Sequence, residues 1–293
     1  MNAVHVDGTA QSARVGIRTD TLVEKAGSEN FPVALWILPR HLRDDLITIY
    51  GYARLVDDVG DLSSGDRLVE LDWVEAEFER ALEGTASEPI VRRAGALALL
   101  LQTGSAPFIN LIEANRRDQR VTRYRTFAEL QEYCSLSANP VGRLVLAVFG
   151  LGGDELVRLS DDVCTGLQLI EHWQDVVEDF RSGRVYLPAE DRIRFGVDEA
   201  TIERGVATPA FRRLMAYECA RARELLRSGD VLAARLHGWA RVAISGFVGG
   251  GYAQLDAIER RRFDVLSGLA KASRVSVARH GVVVLREASR KSR

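Results

Sequence analysis

The sequence predicts an all-α protein, and three observations carry that prediction. Apolar residues recur at spacings of three and four almost from end to end. Alternating β-branched runs are nearly absent; Val282 to Leu285 is the one tempting stretch, and it is short. No linker rich in glycine, serine or proline divides the 293 residues, so the helices are expected to share a single domain.

Taken in order, residues 1–20 are polar and aperiodic and read as a disordered N-terminal segment, followed by a helical domain over 21–270. His41 to Asp61 places Leu42, Leu46, Ile49, Tyr50, Ala53 and Val56 at helical spacing, and Leu71 to Leu82 repeats the period with acids between. Ala94 to Ile112 carries no charge. Its interruptions at Gln102, Thr103, Gly104, Ser105, Pro107 and Asn110 make it helix, turn and helix rather than a membrane span. Phe127 to Phe149 is helical with a bend expected at Pro140, since proline breaks the backbone ladder. Asp161 to Phe180 and Pro209 to Arg227 read as helices, and Val231 to Arg262 as one bent helix or a pair. The segment 271–293 reads as a basic tail. From Arg274 it holds six Lys/Arg against Glu287 alone, the pattern of a frayed, solvated end or of contact with an anionic membrane surface.

Composition narrows the function. Lys and Arg number 39 against 41 Asp and Glu, a net charge of −2, which argues against nucleic-acid binding. Cys134, Cys164 and Cys219 are too few and too scattered for a disulfide framework or a zinc site. Met1 to Ile17 lacks the apolar core of a secretion signal, so a cytoplasmic protein is expected, with membrane contact at most peripheral.

Two carboxylate pairs stand out. Asp57 and Asp61 are four apart and share a helix face, continuing the row Leu42, Leu46, Tyr50 and Arg54. Like charges on an inward row lose hydration and repel unless a cation compensates them. The second pair is Asp175 and Asp179, which extend the stripe Gln168 and Glu171 opposite the apolar Leu169, Trp173, Val176 and Phe180. Either pair alone is what a solvated amphipathic helix carries. Facing one another, the two would offer the hard oxygen ligands that suit Mg²⁺ together with substrate phosphates. There is no glycine-rich phosphate loop, so arginines such as Arg54 would share the diphosphate with the metal. The chemistry implied is ionisation of an allylic or cyclopropylcarbinyl diphosphate in an apolar cavity.

The ordered blocks Tyr50 to Asp61, Arg123-Tyr124, Tyr133-Cys134, Ser137 to Arg143, Leu167 to Pro188, Ala220 to Arg223 and Gly249-Gly250 resemble the squalene/phytoene synthase family. The resemblance implies the isoprenoid synthase fold, helices around a central hydrophobic cavity. Glu29 to Val33, Gly60 and Trp173-Gln174-Asp175 are most similar to the hydroxysqualene synthases of bacterial hopanoid biosynthesis. Those enzymes convert presqualene diphosphate and water to hydroxysqualene without a nicotinamide. Carried over, Asp57, Asp61, Glu171, Asp175 and Asp179 would bind Mg²⁺, with Glu171 standing where the family usually has asparagine. Arg54, Asn30 and Arg184 would touch diphosphate, and Gln168 would join the polar face of the site. Tyr133 would lie near the reacting carbons, and Tyr133 and Asn139 would fix a water. Ala138 and Gly142 would leave room for a C30 chain, while His172 reads as structural support. Enzymes acting before and after it in the pathway are the partners implied. The rivals are head-to-head condensation of two farnesyl diphosphates and a non-catalytic lipid-binding or assembly relative; a relative that had lost catalysis should have lost acids, and both pairs are intact.

Overall fold

The computed structural model describes residues 38–291, which form helices with no strand among them; residues 123 and 185 make an isolated parallel bridge. The expected N-terminal disorder and Asn30 lie outside the described residues. The order is α1 (Arg40–Leu62), α2 (Arg67–Leu82), α3 (Pro89–Leu101), α4 (Ala106–Asp118), α5 (Phe127–Ser137) and α6 (Asn139–Val148). There follow α7 (Asp154–Gln174), α8 (Val176–Arg181), α9 (Ala189–Phe195), α10 (Glu199–Glu203), α11 (Pro209–Arg235), α12 (Gly238–Arg260) and α13 (Arg274–Lys291). No described helix is long and apolar enough to cross a membrane.

Helices α1 to α4 pack on one another, with Tyr52, Phe78 and Phe108 interlocked at their centre; the Phe78 and Phe108 rings stack at 4.8 Å. Helices α7, α11, α12 and α13 form a second group around fully buried Trp173. Helix α6 touches α1, α4 and α7 and so joins the groups. Local chemistry starts several elements. Asp66 caps α2 by accepting from the Leu68 and Val69 amides, and Thr126 and Thr208 cap α5 and α11 in the same way.

Several boundaries differ from those expected. Helix α7 begins at Asp154 rather than Asp161, because acids at its first turn favour its positive end. It breaks at Asp175, whose φ of −99° and ψ of 17° leave helical geometry. The bend near Pro140 falls at Ala138, between α5 and α6. Helix α11 runs on to Arg235 and passes through Gly229, where a Cβ would stand 2.4 Å from Val248. The C-terminal segment is no frayed tail. It is an 18-residue helix laid on α11 and α12, burying Val277, Val284 and Ala288. Glycine makes the contact: a Cβ on Gly249 would lie 2.3 Å from the Gly281 backbone nitrogen.

The buried stripe of α1 is also displaced. It runs through Leu46, Ile49, Tyr52, Leu55 and Val56, whereas Leu42 and Tyr50 are only partly buried and Asp57 and Asp61 are open to solvent. The acidic row therefore flanks the core instead of entering the packed interior.

Candidate active site

Helices α1 and α4 carry the first half of the site. A Cβ on Gly60 would sit 2.1 Å from Asn115 Oδ1, so only glycine lets α4 bring Asn115 this close. Asn115 Nδ2 then donates to Asp57 Oδ1 at 3.0 Å and to the Leu111 carbonyl at 3.2 Å. Gln119 Nε2 donates to the Gly60 carbonyl at 3.0 Å. Asp57 is exposed at its outer edge, yet desolvation by the surrounding protein raises its carboxyl to about 6. The Asn115 bond works against that rise, and the neighbouring Asp61 charge adds to it.

The second half comes from α7, α8 and the turn after α8. Gly183, at φ +84°, ends α8 in a left-handed cap. Its amide donates to the Phe180 carbonyl at 3.0 Å, and the Arg184 amide donates to the Asp179 carbonyl at 2.8 Å. The chain then pairs with residues 122–124: the Val185 amide donates to the Thr122 carbonyl and the Ala189 amide to the Tyr124 carbonyl, each at 2.9 Å. This sends Arg184 back across the cleft, where Nη2 pairs with Asp61 Oδ1. One arginine thereby links the first acidic motif to the segment that holds the second.

Burial raises the Asp175 carboxyl to about 6, and the charges of Asp179 and Glu178 add to the rise. His172 is buried and stacks on Tyr186 with ring centroids 3.7 Å apart. Gln168 Nε2 and His172 Nε2 lie 3.2 Å apart, and His172 Nδ1 lies 3.8 Å from Asp179 Oδ2. The cleft between these groups is lined by His172, Val176, Asp179, Arg184, Tyr186 and Leu187.

Asp118, at the end of α4, is the functional residue that sequence reasoning missed. Its Oδ2 accepts from the Tyr133 hydroxyl at 2.7 Å and its Oδ1 from the Tyr186 hydroxyl at 3.3 Å. Burial raises its carboxyl, against the Tyr133 bond and the nearby Arg184 charge. Tyr124, Tyr133 and Tyr186 stand around it with ring centroids 5.6–5.7 Å apart. Burial also holds the Tyr133 hydroxyl far above its usual range, so it remains a donor. A signal existed in the sequence: Leu111, Asn115 and Asp118 share one face of α4 at steps of four and three.

The other expected residues distribute unevenly. Arg54 Nε pairs with Asp58 Oδ1 at 2.9 Å, one turn along α1. Asn139 is buried, and its Oδ1 accepts from the Thr165 hydroxyl at 3.0 Å, which fastens α6 to α7. Ala138 is buried at the α5–α6 break. Gly142 does not open space for a ligand. A Cβ there would meet Cys164 Sγ at 2.4 Å and Ser160 Oγ at 2.5 Å, so the glycine admits α7. Glu171 lies on the exposed side of α7. Gln174 donates to the Ala270 carbonyl at 3.1 Å and holds the loop before α13 rather than facing the cleft.

Among the described residues, no three His, Cys, Asp or Glu side chains converge as a ready-made metal centre. What the arrangement offers is two crowded, half-hydrated carboxylate pairs, one mobile-length arginine between them, and a cluster of protonated tyrosines beside both.

Comparison with known proteins agrees with this architecture. The profile of the squalene/phytoene synthases matches residues 24–279. A hydroxysqualene synthase of Rhodopseudomonas palustris is 36% identical over 215 residues, 71% of each chain. A phytoene synthase of Arthrospira platensis is 30% identical over 266 residues, 82% of each chain. Among solved structures, squalene synthase HpnC from Alicyclobacillus acidocaldarius superposes with a TM-score of 0.77 at 39% identity, covering 84% of this chain and 94% of that one.

Proposed function

This chain belongs to the squalene/phytoene synthase family, and on that premise we propose that it converts presqualene diphosphate and water to hydroxysqualene and diphosphate. The observation that carries the reading is Arg184, which joins Asp61 of the first acidic motif to the Asp179 segment of the second. Similarity to proteins named hydroxysqualene synthase, at 33–36% identity, supports the choice of reaction.

The donor set suits Mg²⁺ held by one or two carboxylates per ion and completed by water and phosphate oxygens. Asp57 with Asp61, and Asp175 with Asp179, would hold it, with Glu171 adding an oxygen from the exposed side of α7. The Asp57 and Asp175 carboxyls are raised chiefly by burial and further by the neighbouring Asp61 and Asp179 charges, a repulsion that a bound cation would relieve. Bound there, Mg²⁺ supplies neutralisation of the departing diphosphate.

The chain's own residues do the rest. Arg184 is free to exchange its Asp61 partner for a phosphate oxygen, a bidentate acceptor of the same kind. As the carbon–oxygen bond to diphosphate breaks, positive charge develops on the cyclopropylcarbinyl carbon and rearranges. The faces of Tyr124, Tyr133 and Tyr186 offer negative quadrupole to it. Asp118 orients the Tyr133 and Tyr186 hydroxyls, and their oxygens retain lone pairs to accept from an attacking water. That water forms the new carbon–oxygen bond and gives up its proton to the departed diphosphate, the base the step itself generates.

Incubation with presqualene diphosphate in ¹⁸O-labelled water tests the reading. An alcohol carrying the label is expected, and neither NADPH nor NADH should be needed. Turnover of farnesyl diphosphate to a C30 or C40 hydrocarbon, with presqualene diphosphate untouched, would replace the proposal with head-to-head condensation.

A further inference from the structure

Helix α13 buries Val277, Val284 and Ala288 against α11 and α12, and what it shows to solvent is equally patterned. At 100° per residue, Val275, Arg279, Val282, Val283, Arg286 and Arg290 fall within one arc of about 100°. All six are exposed, Val275 at 79%. Glu287, the helix's single acid, lies outside the arc. Arg279, Arg286 and Arg290 have no carboxylate partner among the described residues, whereas Arg212, Arg221, Arg223, Arg227 and Arg235 of α11 are each paired. The exposed Leu269 and Lys271 precede the helix and repeat the mixture of apolar and basic.

We propose that the outer face of α13 docks the protein on the surface of an anionic lipid bilayer. Three unneutralised guanidinium groups complement a sheet of lipid phosphates, which accept them bidentately without a shaped pocket. Interleaved valines can seat among headgroups, where an amphipathic helix lies flat. A folded protein partner fits the arc less well, because interface cores exclude charge and favour large aromatic anchors. Here the arginines occupy the centre, and no aromatic lies on the arc. The inference does not rest on the proposed function, although a C30 substrate and product would be carried by the same bilayer.

Co-sedimentation of the full chain with vesicles tests it, without substrate. Binding is expected to vesicles containing phosphatidylglycerol, to fall steeply as salt shortens the screening length, and to be absent from pure phosphatidylcholine. Each arginine should contribute about five-fold, so the triple variant R279Q/R286Q/R290Q should bind roughly a hundred-fold more weakly. The triple lysine variant at the same positions should retain binding, and both should melt as the parent does, since these side chains are exposed. Equal binding to neutral vesicles, or undiminished binding by the glutamine variant, would overturn the proposal. So would failure to bind any vesicle while polyglutamate is bound, which would indicate an acidic protein partner instead.

Discussion

Substituting Gly60 tests how the first acidic motif is held. Two opposing effects act on Gly60→Ala. Alanine is the better helix former by roughly 1 kcal/mol. Against that, the new Cβ would lie 2.1 Å from Asn115 Oδ1, 2.9 Å from Cγ and 3.2 Å from Cβ, so Asn115 must turn away. Turning away surrenders its bonds to Asp57 and to the Leu111 carbonyl. Loss of two such bonds, one to a charged group, costs about 2–4 kcal/mol. The clash should win, and urea unfolding should report a net loss of ~1–3 kcal/mol. The double variant Gly60→Ala, Asn115→Ala separates the effects. With the clashing side chain gone, the alanine at 60 should cost nothing further or stabilise by up to roughly 1 kcal/mol, which gives a coupling of about 1–4 kcal/mol in the cycle. Without Asn115 the Asp57 carboxyl should titrate still higher, and turnover should fall in both variants. If Gly60→Ala keeps the parent's stability and activity, or if the two substitutions add without coupling, the packing argument for this glycine is wrong.

Asp61→Asn should abolish turnover while changing stability by less than ~1 kcal/mol, because the Asp61–Arg184 pair is partly solvated; a large fall in melting temperature would make the pair structural. Tyr133→Phe leaves Asp118 with the Tyr186 hydroxyl alone, and should cost about 1–2 kcal/mol and shift products from alcohol toward hydrocarbon, read by mass spectrometry. Glu218 is fully buried beside Arg221 and Asp191, and burial raises its carboxyl to about 8 against the Arg221 charge, with Asp191 adding to the rise. The folded state therefore holds this proton more tightly than the unfolded chain. Its contribution is complete below the usual carboxylate range and is lost as pH rises toward 8, at a slope no steeper than ~1.4 kcal/mol per pH unit. Glu218→Gln should flatten the fall in melting temperature between about pH 5 and 8; an unchanged slope would show that Glu218 does not carry it. Glu77 runs the other way. Burial pushes it up, but bonds from the Glu88 and Ser87 amides, Arg80 and the Ser87 hydroxyl hold it at about 2. Glu77→Gln should thus lose stability at neutral pH, and the gap to the parent should close as pH falls toward 2, followed by thermal melting.

The sequence by itself determined what depends on neighbours a few residues away. Apolar recurrence at three and four residues is a property of one helix, so the all-α class was legible, and so was the first pair of acids, four apart on α1; the second pair straddles the break at Asp175. Boundaries were less so. Asp175 interrupts its helix although the Glu171 carbonyl still accepts the Asp175 amide at 3.0 Å, and no composition signal marks that change. The tertiary structure decided which distant groups meet. Arg184 reaches Asp61 across 123 positions, and Tyr186 reaches Asp118 across 68, because a left-handed glycine turn and the isolated bridge between residues 123 and 185 steer one loop. It also decided what small residues are for: Gly142 makes room for Cys164 of α7, and Gly249 for the backbone of Gly281. The C-terminal helix makes the same point. Its basic side chains are plain in the sequence, but only docking on α11 and α12 turns three of them, with three valines, to one outer face, since burial of Val277, Val284 and Ala288 fixes the helix's rotation.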